Sequence, residues 1–226
     1  MAVLSGMGFK GRNNLVINQT LGTRFIIAGC LIPSNLMIDT GSDIPKLTEA
    51  GSGCDDSVLC GTCGECAEAC PTRALSRGEY PGVTFDKSRC LQYHSTRLEE
   101  LPEFIMSAWG RRLYGCGICQ EVCPYNKKAP PNTTGEGGSQ SGVLGPSLSL
   151  TAVLSMEEEA LKRLLKGTAL GMSWIPPIAV KRNALLAAAH AGHIPERLRL
   201  LVTAYADHAL PAIQHAAKWA LSRMKD

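Results

Sequence analysis

Aromatic residues are scarce in this chain of 226 residues, at 5% of the total. That is too few for large all-protein cores, so non-protein groups are expected to serve as structural material. No apolar stretch approaches the roughly 20 residues that cross a bilayer as a helix, so a soluble or peripheral protein with no membrane partner is expected. No apolar h-region follows Met1, which points away from secretion and toward the reducing cytoplasm. Excess charge of one sign is small: the formal net charge is +3, which by itself does not argue for a nucleic acid. Cysteine, at 10 residues, stays well below the share of about 8–10% that marks a secreted disulfide scaffold.

Those cysteines are nevertheless the most informative residues present. Eight fall into two runs, Cys60-x2-Cys63-x2-Cys66-x3-Cys70-Pro71 and Cys90…Cys116-x2-Cys119-x3-Cys123-Pro124. Bacterial-type proteins use this spacing to hold two iron–sulfur clusters, with the Cys that precedes Pro serving the other cluster. Cys60, Cys63, Cys66 and Cys123 are therefore expected to hold one 4Fe-4S cluster. Cys70, Cys116 and Cys119 hold three corners of the second, and Cys90 completes it, because the second run has only three cysteines of its own. With their thiolates the clusters add about −2 each when oxidised, one of the terms that sets their potentials. Zinc also accepts paired C-x2-C units, but needs neither the triple run nor the two Cys-Pro ends. Cys30, in the apolar run 25–32, reads as a small buried hydrophobe, and Cys54 lies in a Gly/Ser/Asp stretch.

Around the cysteines the pattern is mixed. Residues 1–32 read as a Gly-rich turn over 6–11, a strand from Leu15 to Asn18, a turn at Gly22 and a strand from Arg24 to Ile32. Two strands do not make an independent sheet. A helix is predicted from Leu98 to Trp109, with Pro102 in its first turn. Residues 130–146 have linker composition. Ser155 and Glu158 suggest a capping box that opens a helix to Lys166. Further helices are predicted over 177–191, 195–206 and 210–224, the last resembling a HEAT-type pair. The fold class is α+β: a bacterial dicluster ferredoxin-like domain at 54–130, a linker at 131–150 and an α-helical HEAT-like region at 151–226.

With these motifs in place the chain resembles the iron–sulfur half of an epoxyqueuosine reductase. The resemblance rests on Gly6-Met7-Gly8-Phe9-Lys10-Gly11-Arg12-Asn13, on residues 60–75, on Cys90-Leu91-Gln92-Tyr93, on residues 112–126 and on Lys181-Arg182-Asn183. It implies an oxidoreductase of queuosine biosynthesis that uses two 4Fe-4S clusters and cobalamin to reduce epoxyqueuosine in the anticodon loop of tRNA. It also implies that residues 1–53 are a remnant of a cobalamin-binding α/β domain. The family's acidic proton donor would lie before Met1. A partner chain that supplies the absent sheet and cofactor part is then expected, or poor solubility without one. Arg12, Phe9, Tyr125 and Gln92 depart from the family's usual Lys, Trp, Trp and Ser; they bear on corrin contacts, not on the cysteines.

By the same resemblance the segment 91–97 lines the cofactor side, with Ser95 as a candidate cobalamin contact. Basic pairs at Arg111-Arg112, Lys127-Lys128 and Lys181-Arg182 are candidates for tRNA phosphates. Residues 151–226 hold ten Lys/Arg against six Asp/Glu, a net of +4. An electron donor is required. Two rival readings are an electron-transfer module that binds neither cobalamin nor RNA, and a catalytically inactive fragment of the reductase.

Overall fold

The computed structural model describes residues 2–29, 60–76, 84–130, 144–145 and 147–224. Two short strands are present, β1 (Phe9–Lys10) and β2 (Val16–Ile17). The helices in chain order are α1 (Glu65–Ala69), α2 (Leu91–Ser95), α3 (Glu103–Ser107), α4 (Ile118–Glu121), α5 (Pro124–Lys128), α6 (Leu150–Ser155), α7 (Glu158–Leu165), α8 (Pro177–Ala189), α9 (Glu196–Tyr205) and α10 (Pro211–Arg223). Turns of 3₁₀ helix occur at Lys87–Arg89 and Ala169–Gly171. The fold is thus mostly helical with a small sheet. No helix among the described residues is long and apolar enough to cross a membrane. Cys30, Cys54 and most of the linker lie outside the described residues.

Two compact units are formed, one from residues 1–70, 75–85 and 117–131, the other from 71–74, 86–116 and 132–226. In the first, β1 and β2 pair antiparallel, Phe9 opposite Ile17 and Lys10 opposite Val16. The stretch expected as a plain Gly-rich turn therefore carries a strand. Its glycines are there for clearance: a Cβ on Gly8 would sit 2.2 Å from the Ile17 carbonyl oxygen. Phe9, Ile17 and Cys123 make a small core, with Tyr125 and Cys60 packed against it. The strand expected over 24–32 is not formed in its described part: residues 24–29 have no ladder partner, and Ile26 is 95% exposed. A strand needs a neighbour to take its backbone hydrogen bonds, and this hairpin is only two residues deep.

The second unit is a helical core. α8 packs against α2, α6, α7 and α10, and α9 packs against α6 and α10. Buried residues run along α8 from Ile178 to Ala188, all round the helix, as expected of a central helix. Leu91, Leu101, Ile105 and Trp109 join the same core, so residues 86–116 pack with the C-terminal helices and not as a separate segment. Two helix starts differ from expectation. The helix expected from Leu98 begins only at Glu103, because Pro102 disfavours helical backbone at the preceding residue. Ser155 ends α6 and donates to the Ala152 carbonyl, leaving α7 to start at Glu158 without a side-chain cap. The helices from Pro177, Glu196 and Pro211 match the predicted ones within two residues.

Candidate metal centre

In the first unit Cys60, Cys63, Cys66 and Cys123 line one cavity of about 260 Å³. Local structure explains how each arrives. A turn closed by the Cys63 N–H on the Cys60 carbonyl (2.9 Å) folds the first two together. α1 opens directly after Gly64 and places Cys66 in its first turn. Cys123 holds the extended cap position before α5, with Pro124 at the first helical position, where the missing N–H costs nothing. All four are free thiols.

Burial raises the Cys60 thiol above its ordinary range and pushes Cys66 up to about 11, with the neighbouring cysteine charges adding to both. The Arg12 backbone N–H and charge work against this at Cys60. Tyr125 is likewise raised, by burial and by the thiols Cys60, Cys123 and Cys63. Four cysteines around one cavity, two of them with thiols that burial holds in the protonated form, are a donor set that a cationic group completes, since thiolate is the form that binds metal. Among the described residues no three His, Cys, Asp or Glu side chains converge on a single-ion site. The sulfurs are set around a cavity wall, an arrangement that fits a polynuclear cluster.

The roof of this cavity comes from the hairpin. Arg12 donates through Nη2 to the Gly61 carbonyl at 2.9 Å, and Phe9 meets Tyr125 edge-on with ring centroids 5.4 Å apart. Asn13 also lines the cavity. It is 5% exposed, and its Nδ2 has no hydrogen-bond partner. The hairpin is tied down by Asn126, whose Oδ1 accepts the Thr23 N–H and whose Nδ2 donates to Thr23 Oγ1 and the Gln120 carbonyl.

Of the remaining cysteines, Cys70 and Cys119 belong to the first unit, Cys90 and Cys116 to the second; all four are half-buried. Cys90 occupies the extended cap position before α2. The Cys116 N–H donates to Gln92 Oε1 at 3.1 Å, and the Gly115 N–H to Ser95 Oγ at 3.2 Å.

Two expected ligand contacts are corrected. Ser95 is 0% exposed and its hydroxyl is used within the protein, donating to the Gln92 carbonyl while accepting from Gly115. It offers no face to a corrin and instead braces the loop before Cys116. Lys181 and Arg182 are buried at 6% and 0% exposure and do not face tRNA. Lys181 donates to Tyr205 Oη at 2.9 Å and to the Met156 carbonyl. Arg182 donates to the carbonyls of His94 (2.6 Å) and Glu99 (3.2 Å) and lies 5.2 Å over the Trp109 ring. Burial lowers its pKa to about 10, against the opposing pull of Glu99. Asn183 donates to the carbonyls of Ser95 (2.9 Å) and Leu113 (2.8 Å). Arg182 and Asn183 together cap the C-terminal end of α2 from within the core. Arg111, Lys127 and Lys128 are exposed, while Arg112 is half-buried and donates to the carbonyls of Ala108 and Trp109.

The roles of Asn13, Asn126 and Asn183 are not evident in the sequence. The one available signal is a polar triplet, Lys181-Arg182-Asn183, inside an otherwise apolar alanine-rich helix.

Comparison with known proteins gives the cysteine region a counterpart. Residues 59–126 match the 4Fe-4S double cluster binding domain. The chain is similar to an epoxyqueuosine reductase of Prochlorococcus marinus, 33% identical over 181 residues, which cover 79% of this chain and 51% of the relative. It is 30% identical over 229 residues to that of Bacillus subtilis, covering 100% of this chain and 53% of the relative. A crystal structure of epoxyqueuosine reductase with a tRNA-Tyr epoxyqueuosine-modified tRNA stem loop has the same fold over 100% of this chain and 54% of that one, with a TM-score of 0.66 at 24% identity. The chain therefore spans about half the length of the curated relatives it matches.

Proposed function

Because the chain is a relative of the epoxyqueuosine reductases and carries their 4Fe-4S double cluster domain, we propose that it is the electron-delivering part of such an enzyme, reducing epoxyqueuosine to queuosine in tRNA. The observation that carries this is the cavity walled by Cys60, Cys63, Cys66 and Cys123 inside the matched domain. In this reading those four hold one cluster, and Cys70, Cys90, Cys116 and Cys119 hold the second. When bound, the clusters relay single electrons and cobalamin delivers the reducing equivalents to the epoxide.

The protein's own contribution is to bind and insulate. The raised thiols of Cys60 and Cys66 would release their protons to solvent as their sulfurs bind the cluster irons. The hairpin residues Phe9 and Arg12, together with Tyr125, cover the site. Arg182 and Asn183 hold α2 and the start of the 113–116 loop in place.

Residues 1–53 would form part of a cobalamin-binding domain, with a longer or separate chain supplying the remainder and the proton-donating acid. Residues 151–226 would form a HEAT-like segment. The exposed Arg111, Lys127 and Lys128 remain as candidates for tRNA phosphates. An electron donor is required, and the setting is the cytoplasm.

A second reading is an electron-transfer module that binds no cobalamin, favoured by the match of residues 59–126 to the 4Fe-4S double cluster binding domain. Titration of the iron-loaded protein with cob(II)alamin, followed by EPR, separates the two. A perturbed cob(II)alamin signal supports the reductase; an unchanged signal with both clusters present supports the module.

A further inference from the structure

We propose that the side-chain amide of Asn13 donates a hydrogen bond to the cluster held by Cys60, Cys63, Cys66 and Cys123, and thereby sets how readily that cluster accepts an electron. The inference rests on the reading of those four residues as cluster ligands.

Three observations converge on this amide. Asn13 is 5% exposed and lines the cysteine cavity. Its Oδ1 accepts the Leu15 N–H at 3.2 Å, which fixes the orientation of the amide, because a flipped group would set two donors against each other. Its Nδ2 is buried from water and has no partner. A buried donor left unpaired is costly and rare in a folded protein. The turn is nonetheless built to keep it there. Gly11 lets the amide approach: a Cβ at that position would meet Asn13 Oδ1 at 2.9 Å and Ile17 Cδ1 at 2.3 Å. The following Asn14 takes the left-handed conformation, φ 62°, that sends the chain back into β2.

The cavity this amide lines is walled by sulfur. The thiolates, with the sulfides of a bound cluster, are the acceptors that a lone N–H donor would find there. Reduction adds one electron and one negative charge to the cluster, with no bond made or broken and no proton moved. An N–H donor toward sulfur stabilises the more negative state, so it raises the potential.

The test is potentiometric titration of the iron-loaded protein with dithionite as reductant, followed by EPR, for wild type, Asn13→Leu and Asn18→Ala. Leucine matches the shape of asparagine without the donor. Asn18, whose Nδ2 donates to the Met7 carbonyl, controls for loosening of the same hairpin. The expected result is a lower potential for one cluster in N13L, by about tenfold in the one-electron equilibrium or roughly 59 mV, and no shift in N18A. A companion measurement uses wild type containing asparagine labelled with ¹⁵N in the side chain. Asn13 is the sole asparagine among the described cavity-lining residues, so a ¹⁵N coupling to the reduced cluster in pulsed EPR supports the proposal even if N13L does not load iron. Equal shifts in N13L and N18A, an unshifted N13L, or absence of the ¹⁵N coupling overturns it. A wild-type protein that takes up no iron overturns the cluster reading itself.

Discussion

Asn126 holds Thr23 by two atoms at once, accepting its backbone N–H at 2.7 Å and donating to its hydroxyl at 2.8 Å across 103 residues of sequence. This pair joins the N-terminal hairpin to the helix that follows Cys123. Asn126→Ala is therefore expected to cost about 1–3 kcal/mol, because it strands buried polar groups. Hydrogen exchange checks it: the Thr23 amide should lose protection while the amides of α8 keep theirs.

Gly22 is part of the same joint. It has φ +69°, and a Cβ there would lie 2.1 Å from Asn126 Oδ1. Gly22→Ala is expected to destabilise by more than the ~1–2 kcal/mol of left-handed strain alone. The clash and the lost clamp are one event, so the double variant with N126A should cost clearly less than the sum of the two singles. Urea unfolding of the four proteins gives the coupling.

Arg182 and Lys127 should behave in opposite ways although both are basic. Arg182→Met removes a buried donor from the carbonyls of His94 and Glu99, at about 1–3 kcal/mol for each stranded acceptor. Arg182→Lys should be nearly as harmful, since an ammonium cannot reproduce the planar fork. Lys127→Ala and Lys128→Ala, at exposed positions, should leave thermal unfolding unchanged. If tRNA contacts them, the salt slope of binding falls by about 0.9 per lost phosphate contact. Thermal melts and filter binding over a salt series read both.

Iron loading should be pH dependent. The Cys66 thiol is pushed up to about 11 and Cys60 is raised, chiefly by burial. Both enter the apo protein protonated at neutral pH, so loading must expel their protons, and affinity rises as the pH rises toward the thiol values. Competition with an iron chelator from mildly acidic to mildly alkaline buffer checks the sign. An affinity that falls with pH would contradict it.

Legibility in the sequence follows the range of the interactions involved. The cysteine runs are local, and their spacing alone is enough to group Cys60, Cys63 and Cys66. The C-terminal helices are readable because Pro177 and Pro211 mark first turns and alanine-rich apolar patterns fill the interiors. Ser155 misleads because a capping box is a local pattern that a better-packed helix end overrides. Lys181 and Arg182 mislead because adjacent basic residues usually sit on the surface. Their partners Tyr205, His94 and Glu99 lie 24 to 88 residues away, so nothing nearby announces the burial. Asn126 and Asn183 escape for the same reason, since an asparagine that braces distant carbonyls looks like any loop or helix-surface amide.

The central claim is that these cysteines hold two 4Fe-4S clusters, and anaerobic reconstitution with iron and sulfide, quantified by Mössbauer spectroscopy, tests it most directly. The account predicts about eight irons with matching sulfide per chain, two clusters of four thiolates each, and about half that content when Cys63 and Cys66 are both changed to serine. Two tightly bound zinc ions per chain with no sulfide, or an iron content unaffected by those substitutions, would contradict it.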